Sequence, residues 1–170
     1  MKKIIIITGA NRGLGKALLD IALTDEKALI FSLSRSLHKE HRNTSDTKLI
    51  YIKTDLSNHF SNSILEIISQ KTNSDDVIYF FNNASIILPI NKIGSFKKLD
   101  IERSINVNIK YPINFINSVL NKFSTNKTVL VNITSGASSN TIPFWALYSA
   151  SKAYVESFFR ILEEENKASS

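Results

Sequence analysis

Five short runs, at positions 3–7, 28–33, 49–52, 77–81 and 128–133, are rich in β-branched residues and apolar on both faces. A strand with no polar face belongs inside a parallel sheet that helices cover on both sides. Between the runs, Leu14, Ala17, Leu18, Ile21 and Ala22 recur at helical spacing, as do Ile64, Leu65, Ile67 and Ile68. Repeated strand–helix alternation predicts an α/β fold, a doubly wound parallel sheet in the order 3-2-1-4-5. The run TVLVNI at 128–133 would then form a sheet edge. It carries no charge, the profile of a strand built to be covered, and this predicts self-association.

At 170 residues the chain suits one domain, residues 1–170. It has no cysteine, which excludes a disulfide framework and cysteine–zinc chemistry and fits a cytoplasmic location. The N-terminal MKKIIIITG has too short an apolar run for a signal peptide, and no segment is long enough to span a membrane. The net charge is +6, but the basic residues are scattered and form no stripe interleaved with aromatics. That argues against nucleic acid and suits capture of a phosphate-rich cofactor. The segment 36–48 is polar and reads as a surface loop. His38, His41 and His59 lack the spacing of a metal site and read as solvated, and residues 163–170 read as the fraying end of a helix.

The turn between the first strand and first helix is TGANRGLG, from Thr8 to Gly15. Its glycines let the backbone turn tightly and approach a pyrophosphate, whose charge meets the amides at the helix N-terminus. Near the other end, Tyr148 and Lys152 stand four residues apart and share one helical face. An ammonium beside a phenol favours the phenolate and makes the tyrosine a usable proton donor. The same spacing also fits a lysine stem packed on a tyrosine ring. Ser135 lies thirteen residues before Tyr148.

Together these segments resemble the short-chain dehydrogenase/reductase family from residue 2 to about 165, whose fold is Rossmann-like. The family's TGxxxGxG is met by Thr8, Gly9, Gly13 and Gly15. Asp55 in TDLS resembles its adenine-side aspartate, and Asn82, Asn83 and Ala84 resemble its NNAG, with Ser85 in place of the last glycine. Asn108 in INVNIKYP, Ser135 in VNITSGASS, and Tyr148 and Lys152 in YSASK occupy its catalytic positions. NITSGAS followed by PFWALYSASKA is similar to the branch of sepiapterin reductases and bacterial benzil reductases. The resemblance also implies that the family's last strands and its substrate-covering segment are missing.

What the resemblance implies is an NADPH-dependent carbonyl reductase acting on a ketone or diketone. Tyr148 would deliver the proton, Ser135 hold the carbonyl oxygen, and Lys152 assist Tyr148 and grip the nicotinamide ribose. Asn108 would organise a water path. Pro112, four residues later, has no N–H, which either frees the Asn108 carbonyl for a water or simply kinks the helix. The cofactor-binding set is Thr8, Gly9, Asn11, Arg12, Gly13, Leu14, Gly15, Ser34, Arg35, Asp55, Leu56, Asn82, Asn83 and Ala84, with Tyr148 and Lys152. Ser34 stands where NAD-specific members carry an acid, and Arg12 and Arg35 suit a 2′-phosphate, so NADP(H) is the expected cofactor. Phe144, Trp145 and Ala146 would give either an aromatic wall for aryl substrates or ordinary core packing. A weakly active or inactive NADP-binding module is the alternative, and a scaffold is a third reading. The expected partners are a small carbonyl substrate and a second copy of the chain, docked either through helices 100–123 and 147–165 or by pairing of the 128–133 strand edge.

Overall fold

The computed structural model describes residues 1–58 and 60–168. In chain order its elements are β1 (Lys3–Thr8), α1 (Gly13–Leu23), β2 (Ala28–Ser34), β3 (Leu49–Lys53), α2 (Ser63–Ser69), β4 (Val77–Asn82), α3 (Lys98–Ile105), a π-helical segment Asn106–Lys110, α4 (Tyr111–Lys122), β5 (Thr128–Asn132) and α5 (Ala146–Ala168). The strands pair in parallel in the order β3-β2-β1-β4-β5. Each apolar run became a strand within a residue of its expected limits.

Alternation along β1 builds both halves of the core, because successive side chains point to opposite faces. Ile4 and Ile6 pack with Phe31, Phe80 and the α4 residues Phe115, Ile116 and Val119. Ile5 and Ile7 pack with Ile30 and the α1 residues Leu19 and Ala22. Each such burial stabilises by about 1.5–3 kcal/mol. Asp76, 1% exposed, joins three segments just before β4. Its carboxylate accepts from the Lys2 N–H at 2.5 Å and the Asn73 N–H at 2.9 Å, and its carbonyl accepts from the Asn126 amide.

The helix α1 is turned relative to its expected face. Gly15, Leu19 and Ala22 are buried, whereas Leu14 and Ile21 are 53% and 69% exposed. The reason is Gly15, where an added Cβ would collide with the Gly9 carbonyl group. Backbone-to-backbone approach at that point decides which side of the helix meets the sheet.

His41 departs from the solvated reading, being 5% exposed. The polar 36–48 segment forms a tight turn at Lys39–His41 that folds back on α1. There His41 Nε2 lies 2.7 Å from Asp20, and Lys16 bridges Asp20 and Glu40 at 2.8 Å each. The Lys16 ammonium, with His41, holds the Asp20 carboxyl below its ordinary range. His59 and the last two residues of the tail lie outside the described residues.

Along the sheet edge every residue of β5 is half-buried, and an open groove of about 840 Å³ runs between β5 and α5. Among the described residues no helix is long and apolar enough to cross a membrane.

Candidate active site

At the carboxyl ends of β1 to β4 lies a cavity of about 300 Å³, at the point where the strand order reverses. Twelve expected cofactor-binding residues line it: Gly9, Asn11, Arg12, Gly13, Leu14, Gly15, Ser34, Arg35, Asp55, Leu56, Asn83 and Ala84. Gly9 and Gly13 have φ of 71° and 53°, the left-handed region that glycine adopts without strain. The Ser57 N–H and hydroxyl, at 3.0 and 2.8 Å, hold the Asp55 carboxyl below its usual range, aided by Arg35 and Arg103.

Thr8 and Asn82 stand behind this lining. The Thr8 hydroxyl accepts from the Asn83 and Ala84 N–H groups at 3.1 and 3.0 Å, and the Asn83 side-chain amide donates to the Thr8 carbonyl at 2.8 Å. These bonds lock the end of β1 to the end of β4 and set the shape of the glycine turn. The Asn82 amide donates to the Asn132 side chain at 2.9 Å, pairing the ends of β4 and β5. Thr54, Arg103 and Val107 line the cavity without having been anticipated. For Arg103 the only signal was its place four residues before Val107.

Beyond β5 come three of the four expected catalytic residues. Ser135 is extended, and its hydroxyl accepts from the Ala137 N–H at 3.2 Å. Thr134 beside it donates to Glu156 of α5 at 3.0 Å. Tyr148 is half-buried in the first turns of α5, with Trp145 edge-on at 5.9 Å. Lys152 is 8% exposed, and its ammonium lies 5.8 Å from the Tyr148 ring centre and donates to the Ile133 carbonyl at 2.8 Å. Burial pushes the Lys152 pKa down. Because Ile133 is two residues before Ser135, this bond ties the helix of Tyr148 to the segment of Ser135.

Asn108 lies in the π-helical segment, where the Tyr111 N–H reaches the Asn106 carbonyl five residues back. Wider turns of this kind absorb one extra residue, and here they precede Pro112, which has no N–H to give. The Asn108 side chain accepts from the Ile86 N–H at 2.9 Å and the Ser85 hydroxyl at 3.2 Å. It donates to the Ile86 carbonyl at 2.8 Å and to Ser151 at 3.1 Å, and Ser151 in turn donates to the Tyr148 carbonyl at 2.7 Å. Ser85, the departure from NNAG, is therefore part of a chain of bonds from the cavity wall to the Tyr148 backbone.

Of the expected aromatic wall, only Trp145 packs on Tyr148. Phe144, with φ of 70° and 58% exposure, and Ala146 line a separate cavity of about 600 Å³ with Ala150 and Ala153. Those alanines recur at helical spacing on a different face of α5 from Tyr148 and Lys152.

Comparison with known proteins agrees with this fold. Residues 3–170 match the short chain dehydrogenase family. The chain is 31% identical over 163 residues to the benzil reductase ((S)-benzoin forming) of Bacillus subtilis, a match covering 93% of this chain and 65% of that protein. It therefore spans about two thirds of that relative's length. A short-chain dehydrogenase/reductase structure from Burkholderia vietnamiensis superposes with a TM-score of 0.84 at 22% identity, over 95% of this chain and 76% of that one. A 4-hydroxyisoleucine dehydrogenase structure complexed with NADH gives 0.78 at 26%, over 96% and 68%. A family match across nearly the whole chain, on a sheet that gathers a glycine turn, a serine segment and a Tyr–Lys pair at one end, makes this chain a member of the short-chain dehydrogenase family, close to its benzil reductase branch.

Proposed function

We propose that residues 1–170 form one NADP(H)-binding domain carrying the catalytic residues of an NADPH-dependent carbonyl reductase for ketones or diketones. The observation that carries this reading is Lys152, buried beside Tyr148 and bonded to the strand end that leads to Ser135. A lysine that served only to cover a tyrosine ring would keep its ammonium in water.

The residues at the cavity fit a dinucleotide. Gly9, Gly13 and Gly15 line the cavity where α1 begins, and the free backbone N–H groups of a helix N-terminus there suit a pyrophosphate. Arg12 and Arg35 line the cavity with Ser34 and provide two guanidinium groups for a 2′-phosphate, and no acid stands at the end of β2 itself. When bound, the cofactor supplies the hydride. Tyr148 gives its proton to the carbonyl oxygen, and the Ser135 hydroxyl donates a hydrogen bond to the same oxygen as negative charge grows. The Lys152 ammonium stabilises the phenolate left behind and, its pKa lowered by burial, passes a proton back more readily than an exposed lysine. Asn108 holds the Tyr148 helix in place through Ser151.

The similarity to benzil reductases makes benzil and related aryl diketones the first substrates to try. Mixing the protein with NADPH and a series of aryl ketones and diketones should consume NADPH by absorbance, with a diketone fastest. Tight NADPH binding with no turnover on any carbonyl would select the non-catalytic module instead. We also propose a cytoplasmic homodimer joined through α4 and α5, where Tyr154 and Ile161 are 54% and 58% exposed. Sedimentation should then give twice the chain mass.

A further inference from the structure

We infer that Glu156 is a positioning residue for the reaction: through Thr134 it fixes where the Ser135 hydroxyl points. The inference rests on the reductase reading above, in which Ser135 binds the carbonyl oxygen. Lys152 and Glu156 stand four residues apart on α5, so their side chains leave the same face of that helix. There they hold consecutive residues of the segment that leaves β5. Lys152 donates to the Ile133 carbonyl at 2.8 Å, and Glu156 accepts from the Thr134 hydroxyl at 3.0 Å. Ser135 follows directly. One bond fixes a point on the chain, whereas bonds at two successive residues fix its direction as well.

The rest of the segment closes around Ser135 from the other side. The Ser138 hydroxyl donates to the Ser135 carbonyl at 2.8 Å, and the Ala137 N–H donates to the Ser135 hydroxyl at 3.2 Å. A hydroxyl that accepts there keeps its own proton free for a carbonyl oxygen. The Ser138 and Thr134 hydroxyls, with Arg160 one turn further along α5, hold the Glu156 carboxyl below its ordinary range, so it is ionised at neutral pH. Ser138 has a single hydroxyl proton, engaged by the Ser135 carbonyl, which leaves Thr134 as the firm donor to Glu156. Thr134 is exposed and Glu156 half-buried, so water competes for the bond and its loss should slow the reaction by a modest factor. The bond joins the helix that carries Tyr148 to the segment that carries Ser135, the two groups that must reach one oxygen together.

The test is to measure kcat with NADPH and an aryl diketone, NADPH affinity, and amide exchange at Ala137 in Glu156→Ala, Glu156→Gln, Thr134→Val and Thr134→Ser, with Glu156→Ala also placed in a Ser135→Ala background. Glu156→Ala and Thr134→Val should each lower kcat about threefold to tenfold, and together no further than singly, with NADPH affinity unchanged. Glu156→Gln keeps an acceptor and Thr134→Ser a donor, so both should retain most of the rate. In the Ser135→Ala background, Glu156→Ala should have no further effect. The Ala137 N–H, which reports the place of the Ser135 hydroxyl without any turnover, should exchange faster in Glu156→Ala and Thr134→Val than in wild type. Undiminished kcat or unchanged Ala137 exchange in both variants, or an equal fall in rate with and without the Ser135 hydroxyl, would overturn the inference while leaving the reductase reading intact. A wild type that turns over no carbonyl would overturn both.

Discussion

Gly15→Ala sets two physical effects against each other. Gly15 lies in α1, where replacing glycine with alanine ordinarily stabilises a helix by about 0.5–1 kcal/mol. Here the new Cβ would stand 2.5 Å from the Asn83 side-chain nitrogen and 2.9 Å from the Gly9 carbonyl carbon, with the Gly9 oxygen closer still. Two of these three atoms are backbone and cannot swing aside. Overpacking of this kind costs about 1–3 kcal/mol. Displacing Asn83 also loses its 2.8 Å bond to the Thr8 carbonyl, about 1 kcal/mol more. The clash outweighs the helix gain, and the expected net loss is about 2 kcal/mol. Gly13→Ala is the comparison, because its Cβ would meet nothing within 4 Å and its cost is the left-handed backbone alone, about 1 kcal/mol. Urea denaturation should rank wild type, Gly13→Ala and Gly15→Ala in that order. NADPH titration should show affinity reduced at least tenfold in Gly15→Ala, because the Gly9 amide moves. A Gly15→Ala protein as stable as wild type, with unchanged NADPH affinity, would refute the argument that backbone contact seats α1.

Tyr148→Phe should abolish turnover while leaving NADPH binding nearly intact, and Lys152→Ala should damage both, as stopped-flow and fluorescence titration would separate. Each charge-assisted contact to the 2′-phosphate contributes about 1.5–3 kcal/mol, so NADPH should bind at least tenfold more tightly than NADH; equal affinities would remove Arg12 and Arg35 from that role. Burial pushes the Asp76 carboxyl up, but the N–H groups of Asn73 and Lys2 outweigh it and leave its pKa below the ordinary value. A depressed carboxyl contributes stability above the unfolded pKa of about 4 that is lost as pH falls through the folded value, so Asp76→Asn should cost about 2 kcal/mol at neutral pH and flatten the acid limb of the stability profile. His41→Ala should cost about 1–2 kcal/mol in denaturant titration by removing the Asp20 contact from a buried site, against no change for a solvated histidine.

The strands were legible because a strand covered on both faces is built mostly from apolar residues, as in the runs around Ile4–Ile7 and Val77–Phe81. The glycine turn, Ser135, Tyr148 and Lys152 were legible for a similar reason. Left-handed backbone, close approach and proton donation each accept few residue types, and their spacing along the chain is set by the elements that carry them. Other features depend on a neighbour that is remote in sequence. Whether His41 meets water or Asp20, which face of α1 meets the sheet, and whether Phe144 stands beside Tyr148 or away from it were decided when separate segments packed. Asn108 shows both sides of this division. Its residue type and position were readable from the chain. Its bonds to Ile86 and Ser151, which tie the cavity wall to the Tyr148 helix, join groups 22 and 43 residues away. Hydrogen bonds are short and directional, so only the tertiary structure, by bringing those groups within about 3 Å, could select them.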